Sequence, residues 1–172
     1  MYSKIWYNNI NESEVCIMKK TLIAYFSRTG ITKKLAEAVA AQADADLFAI
    51  EPVKSYSSSY VLCVAQAKIE NLKNARPEIK AQPQNLSSYD TVVVMFPIWW
   101  FTCPNIILSF LEANDFSGKR IIPVCTYGSS GKGSSEKDMQ AVCKNASFAP
   151  CIEATALKDK AADAIVEAIQ KA

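Results

Sequence analysis

The sequence has no histidine among its 172 residues. Ser-His-Asp and Cys-His nucleophile pairs, His-ligated zinc, and a general base with an unperturbed pKa near neutrality are therefore excluded. Any chemistry must come from carboxylates, thiols, hydroxyls or an imported cofactor. Charge of one sign is also scarce: 19 Lys and Arg stand against 17 Asp and Glu. A net charge of +2 without a basic stripe does not point to nucleic acid. Long apolar runs are missing too. The longest, Val92 to Phe101, contains Pro97 and falls short of the roughly 20 residues a spanning helix needs, so no membrane association is expected. The six cysteines form no CxxC pair and read as reduced, buried thiols. The N-terminus lacks the apolar core of a signal peptide, and the expected compartment is the cytoplasm.

The length suits a single domain. Residues 1–17 are polar and without periodicity, and are read as an N-terminal arm. Residues 18–172 are read as one domain. Within it, Thr21 to Phe26 is a short apolar strand, followed by a Ser/Thr/Gly turn and a helical pattern through Leu35, Ala38 and Val39. Leu47 to Glu51 forms a second strand. A helix is expected near Tyr60 to Asn74, and Thr91 to Phe96 forms a strand buried on both faces because its apolar run is continuous. A helix over Pro104 to Asn114, a strand over Arg120 to Thr126, a helix over Ser134 to Asn145, a strand over Phe148 to Ile152 and a final helix complete the pattern. In the final helix Ala161, Ala162, Ile165, Val166 and Ile169 share one face. Five strands alternating with five helices predict an open parallel sheet covered on both sides, with ligands beyond the carboxyl ends of the strands.

Three loops leave such ends. Ser27-Arg28-Thr29-Gly30-Ile31-Thr32 offers hydroxyls and the N-terminus of a helix, suited either to a phosphate or to simple helix capping. Pro97-Ile98-Trp99-Trp100-Phe101-Thr102 places three aromatics where polar residues are usual. They either stack on a flat conjugated ligand or plug the core, and one Trp is expected inward with the other facing the ligand. Thr126-Tyr127-Gly128-Ser129-Ser130-Gly131-Lys132-Gly133 permits close backbone approach to a ring edge, or is only a flexible turn. A dinucleotide fingerprint is missing after the first strand. The stretch Gly128 to Ser134 only superficially resembles a P-loop, since Lys132 is followed by glycine. Residues 52–90 make a long excursion that either roofs a site with Tyr56 and Tyr60 or runs over the surface.

Taken together and in this order, the loops resemble the flavodoxin family, in particular its bacterial members with a Ser-Arg-Thr-Gly first loop and a Pro-Ile-Trp-Trp second loop. The similarity extends to Ile50-Glu51-Pro52-Val53 and Phe116-Ser117-Gly118-Lys119. It implies an α/β fold, the flavodoxin-like three-layer sandwich with a five-stranded parallel sheet in order 2-1-3-4-5. It also implies FMN held without a covalent link. Ser27, Thr29, Gly30, Ile31 and Thr32 would hold the phosphate, with Arg28 contributing backbone. Pro97, Ile98, Trp99, Trp100, Phe101 and Thr102 would flank the isoalloxazine, and Thr126, Tyr127, Gly128, Ser129, Ser130 and Gly131 would approach its pyrimidine edge. No side chain is assigned as a catalyst and no metal is implied.

This sequence departs from the family pattern at Ile31, where Asn is common, and at Phe101 and Ser129, where Gly is frequent. Phe101 is expected to avoid positive φ and so to disfavour the backbone movement that stabilises a half-reduced flavin. The function implied is an oxidoreductase passing electrons from a nicotinamide or protein donor to a small acceptor such as a quinone. A non-enzymatic electron carrier is the alternative, and a flavin-less scaffold a more distant one. The near-neutral charge leans away from a carrier, since many flavodoxin carriers are strongly acidic.

Overall fold

The structure, a computed structural model, describes residues 20–155 and 160–171, so the expected arm over residues 1–17 lies outside it. Strands β1 (Thr21–Tyr25), β2 (Asp46–Ala49), β3 (Thr91–Pro97) and β4 (Arg120–Tyr127) alternate with helices α1 (Ile31–Ala43), α2 (Tyr60–Leu72) and α3 (Asn105–Ala113). After β4 come α4 (Ser135–Val142), two short strands β5 (Ser147–Phe148) and β6 (Ile152–Thr155), and α5 (Ala161–Gln170). All pairings between these strands are parallel, and the sheet runs β2-β1-β3-β4-β5, with β6 also on β4. This is the expected order.

The expected fifth strand over Phe148 to Ile152 is corrected to two. β5 pairs with Arg120 and Ile121, while β6 pairs with Val124 to Tyr127. Pro150 lies in the gap, and a proline has no N–H to give to the ladder.

Alternation along β3 explains the layers. Val92, Val94 and Phe96 join Ile106, Ile107, Phe110 and Met139 of α3 and α4 in one core. Val93 and Met95 join Val39 of α1 and Ile165 of α5 in the other. On α5 only Ile165 is fully buried, with Ala161, Ala162, Val166 and Ile169 packed around it. α2 stands apart from both patterns. Only Cys63 and Ala67 are buried on it, while Val61, Leu62, Ile69 and Leu72 are exposed. It ends before the expected Asn74, which adopts φ +48°, a conformation Asn tolerates and a continuing helix does not.

Candidate functional site

The loops after β1, β3 and β4 converge on one cavity of about 570 Å³. Arg28, Thr29, Ile31 and Thr32 line it from the first loop, Pro97 to Phe101 from the second, and Thr126, Tyr127, Gly128 and Ser130 from the third. Ser27, Gly30, Thr102, Ser129 and Gly131 stand outside this lining. A fourth wall comes from α2 through Tyr60, Cys63, Val64 and Ala67, so Tyr60 does roof the site. Tyr56 instead turns inward, edge-on to Phe26 and Trp99 with centroids 5.6 and 4.8 Å away. Its hydroxyl donates to Glu70 Oε2 at 2.9 Å, and burial together with that carboxylate pushes its pKa up.

In the first loop Gly30 takes φ +87° and turns the chain into α1, a conformation that glycine adopts without a Cβ penalty. Its N–H donates to Ser27 Oγ at 3.1 Å. α1 has no side-chain cap and no acidic residue in its first turn. Lys34 N–H is the donor that reaches the Gly30 carbonyl, at 3.0 Å, which leaves the N–H groups of Ile31, Thr32 and Lys33 at the helix start without intrahelical partners. Such a terminus favours an anion. Thr32 is buried, and its Oγ1 lies 2.8 Å from Thr126 Oγ1, joining the first loop to the third. Arg28 gives its guanidinium to main chain: Nε and Nη2 donate to the Ser57 carbonyl at 3.1 and 3.0 Å, and Nη2 to that of Ser58 at 2.6 Å. The side chain thus braces the approach to α2.

In the second loop Trp99 is the inward aromatic. It lies edge-on to Phe26 with centroids 5.3 Å apart. Trp100 is exposed at the rim, its Nε1–H donating to the Val64 carbonyl at 3.0 Å and Lys68 Nζ lying 4.7 Å from its ring centroid. The expectation that Phe101 avoids positive φ is overturned. Trp100 and Phe101 both have positive φ, +51° and +61°. They are the central residues of a two-residue turn closed by Trp99 N–H to the Thr102 carbonyl at 2.9 Å and Thr102 N–H to the Trp99 carbonyl at 3.2 Å. Positive φ at both positions is the type I′ pattern, usually filled by Asn-Gly or Gly-Gly. A side chain at 101 therefore does not exclude the left-handed region here.

The third loop is tied to this turn. Ser134 N–H donates to the Phe101 carbonyl at 2.8 Å. Asp138 Oδ2 accepts from Thr102 Oγ1 at 2.5 Å and from Ser134 Oγ at 2.7 Å. Gly133, at φ +55°, passes so close that an added Cβ would fall 1.8 Å from the Phe101 oxygen. Gly133 belongs to the glycine-rich third loop read from sequence, but no role in holding the aromatic turn was expected of Gly133, Ser134 or Asp138. The α2 wall was readable in part, because 60, 63, 64 and 67 are one helical face.

Cys103 and Cys125 are quiet thiols. Burial pushes Cys103 up to about 12, and Cys125 is raised by its own hydrogen bond with Cys151 and by burial. Both are buried and free. Raised thiols are poor nucleophiles at neutral pH, in line with structural roles. Among the described residues no group of three or more Cys, Asp or Glu is placed to hold a metal ion, and no helix is long and apolar enough to cross a membrane.

No curated protein matches the sequence. Solved structures do. A provisionally named flavoprotein from Bacteroides eggerthii is 31% identical with a TM-score of 0.78, covering 88% of this chain and 98% of its own. A second, from Bacteroides uniformis, is also 31% identical with a TM-score of 0.78, covering 87% and 98%. A Lactobacillus acidophilus flavoprotein in complex with FMN shares the fold at 18% identity and a TM-score of 0.73, covering 87% and 99%. The family described as Flavodoxin matches residues 20–169. With the sheet order and the three converging loops, this match establishes that the chain belongs to the flavodoxin family.

Proposed function

We propose that the cavity binds FMN and that the protein is an oxidoreductase, taking electrons from a nicotinamide or protein donor and passing them to a small acceptor such as a quinone. The convergence of an uncapped helix N-terminus, an aromatic wall and a glycine-bearing loop on one cavity carries this reading. The residues fit the cofactor. Ile31, Thr32 and Lys33 present unpaired N–H groups suited to a phosphate. The size, about 570 Å³, lies within the roughly 300–1,000 Å³ usual for ligand sites. Thr29 would add a hydroxyl at the phosphate, Trp99 to Phe101 would flank the ring, and the main chain of Thr126 to Gly131 would meet its polar edge. FMN, when bound, supplies one- and two-electron redox chemistry. The chain's own contribution is to hold the phosphate, exclude water with the aromatic wall and α2, and orient the ring.

The α2 wall favours an enzyme over a pure carrier. Tyr60, Val64 and Ala67 extend the cavity with apolar surface beyond the three loops, as an acceptor pocket requires. A direct test adds FMN to the purified protein and records flavin absorption and fluorescence. Quenched fluorescence with a perturbed spectrum is expected, and free-flavin behaviour at saturating protein overturns the reading. NADH or NADPH oxidation with a soluble quinone then separates enzyme from carrier. A flavin-loaded protein that turns over neither nucleotide, yet exchanges electrons with a reductase protein, is a carrier.

A further inference from the structure

Two successive large residues at positive φ are unfavourable, because the left-handed region crowds Cβ against the backbone. Something outside the Trp100-Phe101 turn must hold it. Burial of the Phe101 ring does not, since it is 66% exposed. What meets the turn is the start of α4. The Phe101 carbonyl accepts the Ser134 N–H at 2.8 Å. Asp138 gathers the hydroxyls of Thr102 and Ser134 onto one carboxylate oxygen. Gly133 fills the remaining space so tightly that its missing Cβ would overlap the Phe101 carbonyl oxygen and carbon, at 1.8 and 2.5 Å. The obstructing atoms are main chain and cannot swing aside. None of Gly133, Ser134 and Asp138 lines the cavity, whereas Trp100 and Phe101 both do.

We propose that Gly133, Ser134 and Asp138 are positioning residues that lock the Trp100-Phe101 turn in its strained form, fixing the aromatic wall before any ligand arrives. Trp100 carries the lock further, because its indole N–H is bonded to the Val64 carbonyl and so sets the wall against the α2 roof. Backbone strain of this kind persists only where surrounding contacts over-determine it. A wall held in place beforehand spares the ordering cost of binding. Only the ligand arm of the test rests on the reading of the cavity as an FMN site; the lock itself is a property of the protein alone.

The experiment uses the full chain. Hydrogen exchange of the Trp100 indole N–H, followed by NMR without FMN, reports the lock; FMN titration reports its consequence. Gly133→Ala should speed the exchange about tenfold or more and weaken FMN binding by a similar factor. Asp138→Ala adds no clash and should move both readings about threefold in the same direction, which keeps the test valid if Gly133→Ala does not fold. Phe101→Gly combined with Gly133→Ala should return FMN affinity to near that of Phe101→Gly alone, because the glycine lets the turn yield. Indole exchange within about twofold of the parent in the folded variants overturns the lock. Faster exchange with unchanged FMN affinity overturns its preorganising role. Faster exchange in a protein whose parent form never binds FMN supports the lock and refutes the cofactor reading instead.

Discussion

Thr32 Oγ1 and Thr126 Oγ1 lie 2.8 Å apart in a buried position, so the first turn of α1 and the end of β4 are joined by two hydroxyls. Thr126 Oγ1 also lies 3.4 Å from the Phe96 carbonyl. The pair links the expected phosphate loop to the loop expected at the ring edge. Replacing Thr126 by valine keeps the shape but strands the Thr32 hydroxyl, whereas Thr32→Val leaves the Thr126 hydroxyl its bond to the Phe96 carbonyl. Thr126→Val should cost about 1–3 kcal/mol in urea unfolding and Thr32→Val less, while the double valine should cost less than the sum because no hydroxyl is left unpaired. Additive losses in the double variant would show that the hydroxyls do not act as a pair.

Arg28 stands beside the anion-favouring helix start, yet its guanidinium spans the carbonyls of Ser57 and Ser58. Its removal should therefore loosen α2 more than it alters the charge of the cradle. Arg28→Ala should raise amide exchange at Cys63, whose N–H closes the first turn of α2 on the Ser59 carbonyl at 3.0 Å, by about tenfold. Lysine should not rescue it, since an ammonium lacks the planar fork that reaches two carbonyls at once. Unchanged exchange at Cys63 would refute the brace.

Much of this arrangement was legible in the sequence, for identifiable reasons. The continuous apolar run of β3 announced a central strand because both its faces are covered, and the Ser-Arg-Thr-Gly and Pro-Ile-Trp-Trp segments fell at carboxyl ends of strands, where they meet in one cavity. The split of β5 from β6 was signalled by Pro150 but hidden by the apolar residues around it. The turn at Trp100 and Phe101 was not legible at all. Neither residue favours positive φ, and the contacts that impose it come from Gly133, Ser134 and Asp138, more than 30 positions away. Local preference governs a turn only when nothing stronger acts on it from elsewhere in the fold.

Asn105 holds the far end of α2. Its Nδ2 donates to the carbonyls of Glu70 at 3.0 Å and Ala75 at 2.9 Å, and the residue is buried at the start of α3. Glu70 lies in the last turn of α2 and Ala75 just beyond its end; their carbonyls also accept from the Ala75 N–H at 2.9 Å and from Arg76 Nη1 at 3.3 Å, so the Asn105 amide adds a second donor to each and ties α3 to this end of α2. Asn105→Ala should cost about 2 kcal/mol in denaturant unfolding. Asn105→Asp should cost more at pH 7, because a carboxylate would face two carbonyl oxygens, and its deficit should shrink as the pH falls and the carboxyl regains a proton. Equal losses for the two variants at pH 7 would show that the amide donors carry no weight.

Cys103 supplies a pH test with a definite sign. Burial raises its thiol from the ordinary value of 9.0 to about 12, so the folded state keeps a proton that the unfolded chain releases earlier. The stabilisation is fully present below pH 9 and is lost as the pH rises through about 12. Within that window stability should fall by about 1.4 kcal/mol per pH unit from this residue alone. Replacing it with alanine removes the thiol and with it this slope, at the expense of a small cavity that is independent of pH. Urea midpoints of the parent and Cys103→Ala should therefore be well separated at pH 8 and draw together by pH 10.5. A separation that stays constant across that range would mean that Cys103 ionises as readily in the folded protein as in the unfolded chain, and that its burial carries no electrostatic cost.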